Sequence, residues 1–168
     1  MLPDLLDSQG QINIDALRKA YLKVSENDTG RGADLVLKLL YKLNTEQNPT
    51  ALAYQGAFET QQARLVINPF DKLKYTQLSQ QTLAKAIELA PQNLEIRFLR
   101  YSIQLALPAF LMLSNQLHQD RQAIFNLIEQ GQTNQHLSPE HFQPIADFLL
   151  KKTYCSPKEK ELIRKFLG

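Results

Sequence analysis

Apolar side chains recur three and four positions apart along most of this chain, the spacing that gathers them on one face of an α-helix. The first such run covers about 13–26, where Ile14, Leu17, Tyr21 and Val24 share a face, and Asp28-Thr29-Gly30 breaks it. A second run, about 31–44, is apolar over a wide arc through Ala33, Val36, Leu37, Leu39, Leu40 and Leu43, which predicts a well-buried helix. Asn48-Pro49-Thr50 precedes a third helix over about 50–66. Asn68-Pro69 precedes a fourth over about 70–90, whose second half is amphipathic and which Pro91 ends. On the third helix, Ala53, Gly56, Ala57, Thr60 and Ala63 form a stripe of small residues beside the bulky Tyr54 and Phe58, an arrangement that admits a close neighbour.

From Asn93 the pattern reads two ways. Leu94, Ile96 and Phe98 alternate with Glu95, Arg97 and Arg100 nearly as a strand would, but Leu99 and Tyr101 break the alternation, so a helix over about 93–106 is expected. Pro108 should kink or end it, with a further helical segment through Leu113. Another helix covers about 115–130, turning Leu117, Ile124, Leu127 and Ile128 inward, and the polar segment Gly131 to Leu137 reads as a mobile loop. Two capped helices form a C-terminal hairpin over 138–168. Ser138-Pro139 opens one carrying Phe142, Ile145 and Leu149. Ser156-Pro157-Lys158-Glu159 is a capping box leading into Leu162, Ile163 and Phe166. No segment carries a strand-turn-strand signal. The expected fold is all-α: a single domain over 1–168, an array of about seven or eight antiparallel helices.

Composition supports this. The chain holds 29 leucines and 10 isoleucines but only 3 valines, an excess of helix formers over β-branched residues. At 168 residues it has the length of one ordinary domain, and six glycines leave little from which to build a Gly-rich phosphate cradle. A net charge of +2 argues against a strongly charged partner surface. The lone Cys155 excludes an intrachain disulfide and a multi-cysteine metal site. The apolar run Leu105 to Leu113 is about half the roughly 20 residues a membrane span needs, so no span is expected. The start, Met1-Leu-Pro-Asp-Leu-Leu-Asp, lacks the basic opening of a signal peptide; the reading is cytoplasmic for a complete chain, exported if a signal has been removed.

Ala84-Lys-Ala-Ile-Glu-Leu-Ala-Pro-Gln-Asn93 resembles the end of a tetratricopeptide repeat (TPR), with Ala86 and Leu83 at the family's small and large positions before Pro91. Ala53-Tyr54-Gln55-Gly56-Ala57 is similar to the small-residue centre of the repeat's first helix. Gly56 and Ala86 are 30 positions apart, however, where the repeat separates them by about 19, so both helices would be longer than standard. Arg97 and Arg100 stand where the next repeat expects an aromatic residue and a leucine. The resemblance covers about 50–106, and the run Asn93 to Gln104 followed by Pro108-Ala-Phe-Leu111 is also similar to an uncharacterised group of bacterial TPR-like proteins. It implies helix-hairpin stacking into an α-α superhelix and protein or peptide binding, with no chemistry attached.

Catalytic and metal signatures are sparse. His136-Leu-Ser-Pro-Glu140-His141 has one residue too many for an inverted zinc-protease motif, and the helix start at Ser138-Pro139 separates its histidines. His118 and Asp120 read as a solvated or capping pair. No nucleophile elbow, P-loop or dinucleotide fingerprint is present, and no cofactor is expected. The most unusual feature is a polar stripe on an otherwise apolar helix: Asn93, Arg97, Arg100 and Gln104 lie four, three and four apart. Guanidinium groups on a semi-buried face require carboxylates. Glu59, Asp71, Glu88 or Glu95 could supply them from within, or an acidic peptide or free carboxylate from outside. Lys151, Lys152, Lys158, Lys160, Arg164 and Lys165 face only Glu159 and Glu161, but without an aromatic platform they read as a solvated face rather than a nucleic-acid surface. The expected role is a non-catalytic protein- or peptide-interaction scaffold. A small-ligand binder or enzyme using the Arg97/Arg100 face is the alternative.

Overall fold

The computed structural model describes residues 5–26, 32–108, 114–132 and 137–168. The expected break at Asp28-Thr29-Gly30, the helical segment through Leu113 and most of the expected loop before Leu137 lie outside them. Among the described residues there are eight α-helices, one 3-10 turn and no strand beyond an isolated bridge between Leu6 and Ile12. The fold is all-α. The chain forms two compact units, Met1–Ala90 and Pro91–Gly168, and the division falls on the helix-stopping Pro91.

The first unit is built around its third helix. Asn13 caps α1 (Ile14–Glu26), which buries Ala16, Leu17, Ala20 and Val24 at the expected spacing. The second helix, α2 (Ala33–Leu40), ends earlier than the leucine pattern suggests and gives way to the 3-10 turn Thr45–Gln47. Asn48 and Asn68 then act identically: each side chain accepts a hydrogen bond from a first-turn N–H, and the proline that follows takes the first helical position, where its missing N–H is harmless. The helices they start are α3 (Pro49–Leu65) and α4 (Pro69–Leu89).

Helix α3 is buried on nearly all sides, and its two kinds of residue face two neighbours. Tyr54 and Phe58 meet Tyr21 of α1 edge-on, with ring centroids 5.8 and 5.6 Å away. The small residues admit α4: a Cβ at Gly56 would lie 2.8 Å from Leu83 Cγ, closer than real side chains approach. The same glycine's carbonyl accepts from Ser79 Oγ at 2.6 Å, and Thr60 and Ser79 hydroxyls meet at 2.7 Å. Pairing Gly56 with Leu83 and Thr60 with Ser79 makes the two helices an antiparallel hairpin.

A buried acid sits in this unit. Glu59 Oε1 accepts from Tyr41 Oη at 3.2 Å and Gln55 Nε2 at 3.1 Å, and Thr45 in turn donates to Gln55. Burial pushes its carboxyl above the usual carboxylate range, against the opposing pull of hydrogen bonds from Thr82, Gln55 and Tyr41. The native protein therefore holds this proton more tightly than the unfolded chain, where the group titrates near about 4.3. The group's contribution is fully present below that pH and declines as pH rises through the native pKa. Glu59→Gln keeps an amide acceptor and removes the ionisation. Its melting temperature, measured by circular dichroism from acid to neutral pH, should gain on the parent as pH rises; parallel profiles would exclude a raised Glu59 pKa.

The second unit holds α5 (Leu94–Ala106), α6 (Ser114–Glu129), α7 (Pro139–Lys152) and α8 (Pro157–Leu167). Its core gathers Leu94, Tyr101, Ile124, Ile128, Phe142, Leu149 and Ile163, with edge-on ring pairs Phe98–Phe148 and Phe142–Phe166. The Ser156–Glu159 capping box forms as expected. Arg121 of α6 ties the α7–α8 link to this core: it donates to Tyr154 O and to Glu159, both at 2.9 Å, while lying over the Phe125 ring. Partial burial works against the Glu159 carboxylate, but Arg121 and the Ser156 N–H outweigh it and hold the group below its usual range.

Candidate functional site

The polar stripe predicted on α5 is real, and it faces inward. Asn93 caps the helix, its side chain accepting from Ile96 N–H at 3.2 Å. Arg97 folds back over the helix start, donating from Nε to the Pro91 carbonyl at 3.1 Å, and reaches Asp120 Oδ1 with Nη1 at 3.0 Å. Arg100 grips the same carboxylate with two arms, Nε to Oδ2 at 2.6 Å and Nη2 to Oδ1 at 2.8 Å. Further along α5, Gln104 Nε2 donates to Gln116 Oε1 at 2.9 Å, and its own Oε1 is buried without a hydrogen-bond partner. Residues 97, 100 and 104 thus meet residues 120 and 116, so α5 and α6 run antiparallel along a polar seam.

The anion is therefore Asp120, not Glu59, Asp71, Glu88 or Glu95. Its side chain is 0% exposed, against 8% for Arg100 and 16% for Arg97. The expectation that Asp120 joins His118 on a solvated surface is corrected: His118 is exposed, and Asp120 points the other way. A signal for this was in the sequence. Asp120 falls three residues after Leu117 and four before Ile124, on the inward face of α6, where a lone carboxylate needs a cation.

The remaining candidates are placed more simply. His136 lies outside the described residues, and His141 Nδ1 pairs with its own helix cap, Ser138 Oγ, at 2.9 Å. Among the described residues no three His, Cys, Asp or Glu side chains converge on a metal-sized site. Cys155 is buried against the Leu149 carbonyl. The C-terminal lysines are exposed, and Lys158 pairs with Glu129 at 2.7 Å.

Two apolar surfaces stand open in the first unit. On α2, Val36, Leu37 and Leu40 are buried and Leu39 is mostly covered, yet Leu35 is 52% exposed. The expected arc through Ala33, Val36, Leu37, Leu39, Leu40 and Leu43 is covered along its length, and Leu35 lies beside it. The second surface is the α3–α4 connection, where Ile67 is 94% and Phe70 82% exposed.

No protein-family model, curated protein or solved structure matches this chain. Among the described residues the fold is all-α, and the Arg97–Arg100–Asp120 cluster is turned inward.

Proposed function

We propose that this chain is a non-catalytic protein-interaction module of TPR-like hairpins, and that the outer face of α2 is its docking surface. The exposed Leu35 carries the reading. It is a large apolar side chain left open on a helix whose opposite face is sealed. Leu35 and Leu39 lie four apart, the spacing that a partner's amphipathic helix can straddle. The exposed Lys38, 3.8 Å from Asp34 on the same helix, and Lys42 flank them, so the fitting partner carries acidic residues beside its apolar stripe. The Gly56–Leu83 approach supports the hairpin part of the reading. The alternative, carboxylate binding at Arg97 and Arg100, is disfavoured because Asp120 already engages both arginines.

Photo-crosslinking tests this. A benzophenone side chain at position 35 of the full chain should give discrete protein adducts in cells that make the protein, and the same probe at the exposed Lys19 of α1 should not. Lys38→Glu should abolish the adducts without moving the melting temperature. Equal labelling from both positions would remove α2 as the docking face.

A further inference from the structure

The connection between α3 and α4 is unusual for a helical hairpin. Tight helix-helix connections are ordinarily polar, but here the chain runs Leu65-Val66-Ile67-Asn68-Pro69-Phe70, then Leu73. Residues 67 to 74 are all exposed, Ile67 and Phe70 almost fully, so the first six residues of α4 are open to solvent. The polar group nearest the apex, the Asn68 side chain, is spent on the chain itself: it accepts from Phe70 N–H at 2.9 Å. What the apex presents is the hydrocarbon of Ile67 and Phe70.

Charge is arranged behind it. Arg64 precedes the apex, and Lys72 and Lys74 follow three and five residues into α4, roughly 5–8 Å back from its first residue along the helix axis. Asp71 is the one acid between positions 64 and 74, which leaves that stretch with a net +2. Passing back along the connection, one meets bulky apolar groups and then cations. That is the order met on leaving a bilayer, from acyl chain to phosphate, over an insertion depth of about 5–10 Å.

We propose that the α3–α4 tip seats in the interface of an anionic phospholipid bilayer, with Ile67 and Phe70 among the upper acyl chains and Arg64, Lys72 and Lys74 at the phosphates. A protein cleft could receive the same knob, but a convex apolar apex with a basic collar and no directional hydrogen-bonding group asks for no shape-matched acceptor. A fluid surface of negative charge satisfies it completely. The attachment is peripheral, since no described helix is long and apolar enough to cross a membrane. It leaves the α2 face open and does not depend on the reading given to that face.

The chain contains no tryptophan, so Phe70→Trp, at a position 82% exposed, supplies a single reporter without disturbing the core. With vesicles of equal parts phosphatidylcholine and phosphatidylglycerol, its emission should shift to the blue and be quenched by brominated acyl chains. The parent chain should co-sediment with those vesicles, and far less with pure phosphatidylcholine. Ile67→Ser/Phe70→Ser should weaken that binding by about tenfold or more. Lys72→Gln/Lys74→Gln should weaken it and flatten its salt dependence. Co-sedimentation that survives loss of both apolar residues would place lipid binding elsewhere and overturn the proposal. So would absence of binding to the anionic vesicles. A lipid-free dimer in sedimentation equilibrium that the serine pair dissolves would make the occupant a second copy, and would equally overturn it.

Discussion

Asp120→Asn should lower the stability of the second unit by about 3–5 kcal/mol, the largest single effect expected in this protein. The substitution keeps the shape of the side chain and removes its charge, leaving two guanidinium groups on α5 with no anion in a place from which Arg100, at 8% side-chain exposure, cannot reach water. Against a total of roughly 5–15 kcal/mol for a domain of ordinary stability, such a loss is large enough to shift thermal unfolding by on the order of 10 °C. The arginines should rank. Arg100→Gln removes two short bonds and leaves Asp120 held by one arm of Arg97, whereas Arg97→Gln leaves the two-armed grip intact, so the first variant should melt clearly below the second. Replacing the cluster together, Asp120→Leu with Arg97→Met and Arg100→Met, should recover much of the loss, because apolar groups avoid the desolvation that the ions suffer. Circular dichroism melts of the four variants decide the matter; an Asp120→Asn protein that melts with its parent would sink the account.

The second large effect is expected at Gly56. Any side chain there starts 2.8 Å from Leu83 Cγ and 3.3 Å from the Leu83 backbone nitrogen, so a Leu83 rotamer change relieves only part of the clash and the helix itself must move. Moving it also pulls Ser79 from the Gly56 carbonyl. Gly56→Leu should therefore cost on the order of 1–3 kcal/mol by overpacking. Gly56→Ala combined with Leu83→Ala should cost less than the sum of the two single changes, since each relieves the crowding the other creates or leaves empty. If the singles simply add, the hairpin is looser than the contact implies.

Helix starts were the most legible part of this fold, for a local reason. Asn48, Asn68, Ser138 and Ser156 each cap a helix whose first residue is the next proline, and both halves of that signal are adjacent in sequence. Ends were harder. The leucines of α2 keep their helical spacing through Leu43, but the helix stops at Leu40, because periodicity records which side chains are apolar and not where the backbone turns. The polar stripe on α5 was readable as four residues on one face, yet its partner lies 20 and 23 residues away on another helix, where Asp120, two residues from the exposed His118, read as solvated. The α3–α4 tip was read only as a turn at Asn68-Pro69. Its apolar residues look like ends of core stripes until exposure shows that nothing covers them.

Two cations one helical turn apart, sharing one carboxylate, also determine which residues of α5 stand opposite which residues of α6. Apolar faces slide: a helix shifted along its neighbour by one turn, about 5.4 Å, trades one leucine contact for another at small loss. The cluster permits no such trade. A slip in either direction carries one guanidinium past its anion and separates Gln104 from Gln116, so every alternative alignment holds a buried charge without a partner. Asp120 thus acts as an indexing pin, selecting one alignment from a ladder of near-equivalent ones that the surrounding leucines would accept.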